Sequence, residues 1–506
     1  MISNSTTIEP PSATDRAPEG ERGGSGRPVK GHLDGNAAWF SYHTPQPWRF
    51  PYPRRRDAVP ILLLMAVVMF TGVLLMSHNM TFSRTDELEH FDYVTSLVDR
   101  HTIPRKGDLY TQQAIRAQAC WRYQIAMAKI PPCTAATLDP HDFGNHGVTS
   151  AGGYPPVYYA ATAAVAVPLH ALLGFDSLYL PARLVSLLWL ALGAVLTYLL
   201  VRSLRVGRWA AVAVALVAAL GPFMMAQGTT VNPDSLSLLA GAGTALAWLQ
   251  LRGSPRWRAT LGLAGVLALV TLVKPNFLVV PVAVVTAEAA LALQGGARTF
   301  LRRHTWSRRA PFGRVVLAGI LGSAAGVAWM SVFFVLDRPG LSVNPATVSM
   351  GARPWDTDLA LRWTPFSYAP PVDGPFFVQV LDQGIMTWFI SVGSLLVVAG
   401  AVAATMVARR QQVPGWTLDP GGGPAVEPVR ALGYLTAASF TLAAPVMYAI
   451  TAAGHRFFPY PSRYSLFIVP LGLAALAGVS GRIRVRLFVP LALVAVATYW
   501  IILEAF

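Results

Sequence analysis

Charged side chains are scarce in this 506-residue chain: Asp, Glu, Lys and Arg make up 13% of it, where a soluble domain carries about 25%. So little charge cannot cover a soluble surface of this size. Short alternating strand segments are also lacking, which excludes a transmembrane barrel. The chain holds no Walker loop, no dinucleotide fingerprint and no His-Glu-x-x-His, so nucleotide use from the cytosol has no support. Cysteine is nearly absent, with only Cys120 and Cys133.

Apolar residue is what the chain has in abundance, 53% hydrophobic with a mean hydropathy of +0.45. It falls in blocks near 59–77, 155–173, 182–201, 209–226, 235–251, 259–273, 276–293, 315–336, 384–407, 431–451, 464–480 and 487–505. Many approach the ~20 residues that cross a bilayer as a helix, and backbone in lipid must satisfy its own hydrogen bonds. The expected fold is all-α, a polytopic membrane bundle of about 11–12 transmembrane helices. Residues 1–58 are rich in Gly, Pro, Ser and charge and are expected to form a disordered cytosolic tail. Residues 59–506 form the membrane domain. No cleavable signal peptide is read at the start, so the first block acts as a signal-anchor.

The formal net charge of +15 is placed where topology would use it. Arg54–Arg56, Arg202, Arg205 and Arg208, Arg252, Arg256 and Arg258, the segment 294–314, Arg409 and Arg410, and Arg482, Arg484 and Arg486 lie between apolar blocks. Such clusters stay on the cytoplasmic side, and no nucleic-acid partner is implied. They share one side only if one block before Arg202 fails to span. The best candidate is 155–173, opened by Pro155 and Pro156 and broken by Pro168 and His170, which reads as a re-entrant or interface-lying segment. If it spans, the count is twelve. Two long outer loops result, about 78–181 and 337–383. Cys120 and Cys133 both fall in the first, where an oxidising exterior would allow a disulfide; two free thiols are the alternative.

Four polar constellations interrupt the apolar pattern. Asp86-Glu87-Leu88-Glu89-His90-Phe91-Asp92 follows the first block. Carboxylates there can deprotonate an acceptor hydroxyl or hold a divalent cation at Asp86, or simply begin a solvated loop. Asn232-Pro233-Asp234-Ser235 places Asp234 either as a helix cap or as a second acid facing the first. Lys274-Pro275 sets a cation against the topology trend, as a phosphate partner or a snorkelling lysine. His455-Arg456-Phe457-Phe458-Pro459-Tyr460-Pro461-Ser462-Arg463-Tyr464 gathers two arginines among aromatics, for phosphate or as an interfacial belt. Asp139, His141, Asp142 and His146 lack a strong metal-ligand spacing. Acids beside headgroup-level cations suit transfer from a polyprenyl-phosphate carrier: a carboxylate activates the acceptor and cations neutralise the leaving phosphate.

In order and spacing these motifs resemble the GT-C superfamily of multispanning glycosyltransferases, over roughly residues 59–480. Within it they look most like a bacterial family of unknown function. Thr85-Asp86-Glu87-Leu88-Glu89-His90-Phe91 is similar to its Asp-Glu-x-x-His-Phe, and Tyr154-Pro155-Pro156-Val157-Tyr158-Tyr159 to its Tyr-x-Pro-x-Tyr-Tyr. Asn232-Pro233-Asp234-Ser235-Leu236, Val273-Lys274-Pro275 and Ser462-Arg463-Tyr464 resemble its Pro-Asp-Ala-Leu, Lys-Pro and Gly-Arg-Tyr. Ser462 departs from the usual Gly, and Phe277 from the usual Tyr. The resemblance implies inverting transfer from a polyprenyl-phosphate sugar at the extracytoplasmic face of a bacterial plasma membrane. The acceptor would be an envelope glycan, lipid or protein. Asp86 would be base or metal ligand, with Glu87 and Asp234 assisting. Lys274, Arg456 and Arg463 would hold the donor phosphate. Glu89, His90, Tyr158, Tyr159 and Tyr464 would line the substrate cavity.

Two other classes share these features. A flippase for lipid-linked glycan would need polar groups at mid-membrane, and the apolar blocks carry few, Glu288 excepted. A scaffold for envelope assembly would tolerate neutral substitutions at Asp86 and Lys274.

Overall fold

A computed structural model of the chain describes residues 55–78, 82, 86–105, 107–121, 130–143, 147–254, 256–294, 306–336, 353–354, 426–453, 456–457 and 466–479. Contacts divide the chain into 1–46 and 47–506, and every described residue lies in the second unit. The tail through residue 54, the blocks at 384–407 and 487–505, and most of the loop 337–383 lie outside the described residues.

Thirteen helices appear among the described residues. They are α1 (Ala58–His78), α2 (Glu87–Thr95), α3 (Gln112–Cys120), α4 (Val157–Leu173), α5 (Tyr179–Ser203), α6 (Arg208–Ala219) and α7 (Pro222–Gly228). Then follow α8 (Ser237–Gly253), α9 (Trp257–Thr271), α10 (Val279–Gln294), α11 (Trp306–Leu336), α12 (Val426–Ala453) and α13 (Val469–Val479). Five segments are long and apolar enough to cross a membrane: Arg55–His78, Tyr179–Ser203, Pro275–Leu293, Pro311–Val332 and Glu427–Ile450. The chain is therefore a polytopic helical membrane protein.

Packing follows from which face of each helix carries small or well-fitting residues. On α1, Leu64, Val68, Gly72 and Leu75 are buried, while Leu62, Leu63, Phe70 and Val73 stay exposed. That is one helical stripe turned inward and another left for lipid. With lipid as apolar as the helices themselves, close fit rather than expulsion from water holds such a bundle. Gly193 lets α5 approach α8 until an added Cβ would lie 2.7 Å from the Leu238 Cβ. Gly322 likewise admits Leu267 where α11 meets α9.

Polar contacts mark two ends. At one, Asp57 accepts from the Tyr198 hydroxyl at 2.6 Å, with Arg202 beside it. Arg252 pairs there with Glu288 and Glu427, and Gly478 packs against both Val429 and Leu204. At the opposite end of α5, Arg183 meets Glu87 at the start of α2. The chain thus runs antiparallel through α1 and α5, from the arginine-rich end to the acid-motif end and back. The two-residue strands Arg353–Pro354 and Arg456–Phe457 pair antiparallel, Arg353 opposite Phe457 and Pro354 opposite Arg456. This pairing joins a part of the loop 337–383 to the segment just after α12.

The expected break at Pro168 is not found: α4 runs unbroken through it for 17 residues. A proline inside a membrane helix is tolerated where neighbours satisfy the freed carbonyl. At 1.5 Å per residue α4 rises about 26 Å, short of the ~30 Å hydrocarbon core. It begins at the acid-motif end, where Tyr159 meets His90. Only residues 174–178 separate it from the start of α5 at that same end, a connection reaching roughly 20 Å at most.

Candidate active site at the acid-motif end

The site is built outward from Glu87. Asp86 precedes α2 with φ 59°, a left-handed conformation that aspartate visits more readily than most residues. The next residue is immobilised. Arg183 Nε donates to Glu87 Oε1 and Arg183 Nη2 to Oε2, each at 2.7 Å. The Val231 amide donates to the same Oε1 at 2.9 Å. Both charged groups are buried. One carboxylate therefore fastens the 86–87 turn to α5 and to the second acid motif. Glu87 is tied in structure, while Asp86 remains half-buried and the more accessible of the two.

The second motif closes on itself and on the third. Asn232 Oδ1 accepts from the Asp234 amide at 2.9 Å, capping the turn Pro233–Leu236. Asp234 Oδ1 accepts from Lys274 Nζ at 2.6 Å, and both side chains are buried. Asp234 is thus paired with Lys274 from the turn that follows α9. In this arrangement Lys274 neutralises Asp234 with one of the three donors its ammonium carries. Such a pair is held only by good geometry, because taking both charges out of water is costly.

Aromatic side chains frame the pairs. Arg183 lies over the Tyr179 ring, 4.5 Å from its centroid. Phe82 stacks on Tyr179 at 4.2 Å, and Phe91 meets it edge-on at 5.3 Å. His90 Nδ1 and the Tyr159 hydroxyl share a 2.8 Å hydrogen bond, and Tyr93 stacks on Tyr159 at 3.8 Å. The Tyr158 hydroxyl shares one with Ser186 at 2.7 Å. Tyr158 and Tyr159, expected to line a cavity, have both rings buried in these contacts.

One helical turn beyond Asp86, Glu89 accepts from the Tyr110 hydroxyl at 3.3 Å. Burial of its carboxyl, with the nearby Asp86 charge adding to it, pushes the Glu89 pKa up to about 7. As a whole residue Glu89 is half-buried. Burial also raises Asp92 to about 6, against the hydrogen bond that Thr111 N donates to its Oδ1 at 2.7 Å.

The remaining candidates lie in other segments of the chain. Arg456 sits in its short strand. Arg463 and Tyr464 lie outside the described residues, as does His146. Asp139 caps a turn by accepting from the His141 amide. Among the described residues no group of three His, Cys, Asp or Glu is placed to hold a metal ion. Cys120 and Cys133 are joined by a disulfide. Sequence reasoning missed Arg183 and Tyr179. The available signal was an arginine inside an apolar block, which needs a partner wherever it is buried.

A bundle of membrane-length helices with buried carboxylate–cation pairs gathered at one end is a multi-pass membrane architecture. Residues 155–321 match the family described as dolichyl-phosphate-mannose-protein mannosyltransferase, which belongs to the GT-C superfamily. The match takes in Arg183, Asp234 and Lys274 and leaves the Asp86–Asp92 segment outside. The GT-C resemblance read from the motifs holds at the superfamily level. Comparison with curated proteins found no match.

Proposed function

We propose that the chain transfers a sugar from a polyprenyl-phosphate carrier to a cell-envelope acceptor, with inversion, at the extracytoplasmic face of a bacterial membrane. Asp86 is the base. The observation that carries this role is the contrast in exposure among the three acids. Glu87 and Asp234 are buried on Arg183 and Lys274, and Asp86 is the one partly open to its surroundings. In the step, the acceptor hydroxyl gives its proton to the Asp86 carboxylate while its oxygen attacks the sugar C1. The C1–O bond to phosphate breaks, and its electron pair leaves with the phosphate. Glu87 assists by fixing the two acid turns to each other, Asp234 by fixing its turn to Lys274, and Arg456 and Arg463 supply positive charge for the leaving group. A divalent cation at Asp86 would supply further positive charge for the leaving phosphate; the step above is written with protein groups alone. The family match supports the donor class, since residues 155–321 resemble enzymes named for a polyprenyl-type phosphate sugar donor. The acid-motif end faces outward because the arginine loops keep the opposite end inside.

The test is a donor screen with purified protein in lipid, offering labelled polyprenyl-phosphate sugars and an envelope extract. Wild type transfers label, and Asp86→Asn transfers about 10²- to 10⁴-fold less, the range for loss of a positioned base, with its thermal unfolding unchanged. Transfer at the wild-type rate in Asp86→Asn would remove Asp86 from the base role.

A further inference from the structure

The Cys120–Cys133 disulfide lies in the same connected packing as the acid turn. Helix α3 is fastened at its start, where the Thr111 hydroxyl caps Ala114 N and Asp92 holds the Thr111 amide. It is fastened at its end by Cys120, bonded to Cys133 thirteen residues on. The next residue, Trp121, makes two contacts that converge on Tyr179, the ring beside the Arg183–Glu87 pair. Its carbonyl accepts from the Phe82 amide at 3.3 Å, in the stretch that leads from α1 to Asp86. Its ring lies 6.2 Å from Tyr179, the ring under Arg183. Phe82 stacks on that same Tyr179, so backbone and ring contacts from Trp121 close on one point.

We propose that Trp121, held in place by the Cys120–Cys133 disulfide, is a positioning residue for the transfer step, acting through Phe82 and Tyr179 on the Arg183–Glu87 pair. It rests on the transferase reading above for its kinetic arm only. Arg183 can hold Glu87 bidentately only while its guanidinium plane is set, and the Tyr179 ring sets one side of it. Releasing Trp121 loosens Phe82 and Tyr179 together, and Glu87 is the residue that keeps Asp86 in its left-handed turn. The disulfide is open to reductant, since Cys120 is exposed. A soluble dithiol cleaves it by exchange: the S–S bond takes two electrons and two protons to give the thiols of Cys120 and Cys133, and the reagent becomes the disulfide. The chain has no other cysteine, so reduction acts at this bond alone.

The experiment uses the folded, oxidised full chain in lipid nanodiscs. It compares untreated protein, dithiothreitol-reduced protein, Trp121→Ala and Trp121→Phe. Amide hydrogen exchange is read over 86–95, and kcat and donor KM in the transfer assay. Reduction and Trp121→Ala each speed exchange in 86–95 and lower kcat roughly 10- to 100-fold, the scale of a small misplacement of reacting groups, with donor KM little changed. Trp121→Phe, which keeps a ring against Tyr179, restores both. Exchange that rises only within 112–135, or kcat unmoved by reduction, overturns the proposal. The exchange arm needs no substrate. If oxidised wild type transfers from no donor, the transferase reading fails, and exchange over 86–95 alone decides whether Trp121 positions the acid turn.

Discussion

Arg183 is a full charge in the second turn of an apolar helix, tolerated there because Glu87 meets both ends of its guanidinium. Removing one partner of such a pair costs about 3–5 kcal/mol, because the other is left buried and unpaired. Replacing both by apolar groups can leave stability intact, but it would release the Val231 amide and separate the two acid turns. The pair is therefore better explained by placement than by stability. Two residues later the balance differs. Burial lifts Glu89 from an ordinary 4.5 to about 7, and Asp92 from 3.8 to about 6. The folded chain therefore keeps protons that the unfolded chain has already lost, so stability falls as pH rises through this window. Among the groups facing Glu89 are Asp86 just before its helix, Asp92 on it, and the Tyr110 hydroxyl from the segment before α3. The thermal unfolding midpoint is expected to drop between about pH 4 and pH 7, and Glu89→Gln to flatten the upper part of the drop. A midpoint that climbs over the same range would contradict the burial of these carboxyls.

Between helices, small residues decide how closely the backbones come. Gly193 has the Leu238 Cβ at 2.7 Å and the Leu239 amide nitrogen at 2.8 Å from an added Cβ, and backbone cannot give way as a side chain tip can. Gly193→Ala is expected to lower stability by about 1–3 kcal/mol through overpacking, seen as a reduced unfolding temperature in detergent; an unchanged temperature would mean α5 and α8 are not in close contact. The apolar blocks announced most of these helices, because membrane length and composition are local properties. The acid and lysine motifs were legible for the same reason: each is a short polar interruption in apolar surroundings. Their partners were not. Glu87 with Arg183, and Asp234 with Lys274, are 96 and 40 residues apart, and nothing local encodes such a match. Pro168 misled, since a proline reads as a helix break in water but is accommodated in α4. The burial of Tyr158 and Tyr159 depends on α2 and α5 arriving on either side, which a motif cannot show.

Taken whole, the molecule is polarised along its helix axes. Asp57, Arg202, Arg252, Glu288 and Glu427 gather at one end, and Glu87, Arg183, Asp234 and Lys274 at the other. The proposed orientation predicts which face a reagent reaches. In membrane vesicles of known sidedness, on a background where Cys120 and Cys133 stay bonded, Ile103→Cys should react with an impermeant maleimide from the extracytoplasmic side. Arg205→Cys should react only from the cytoplasmic side; both positions are exposed. The reverse pattern would invert the bundle. The buried lysine also bears on how the chain is made. Lys274 stands at the turn that opens the α10 span, and a lone ammonium there resists entry into hydrocarbon. Its counter-charge, Asp234, leaves the ribosome 40 residues earlier. Both charges are present once the turn after α9 has been made, before α10 follows, so α8 and α9 can enter the bilayer as a hairpin with Asp234 and Lys274 already matched.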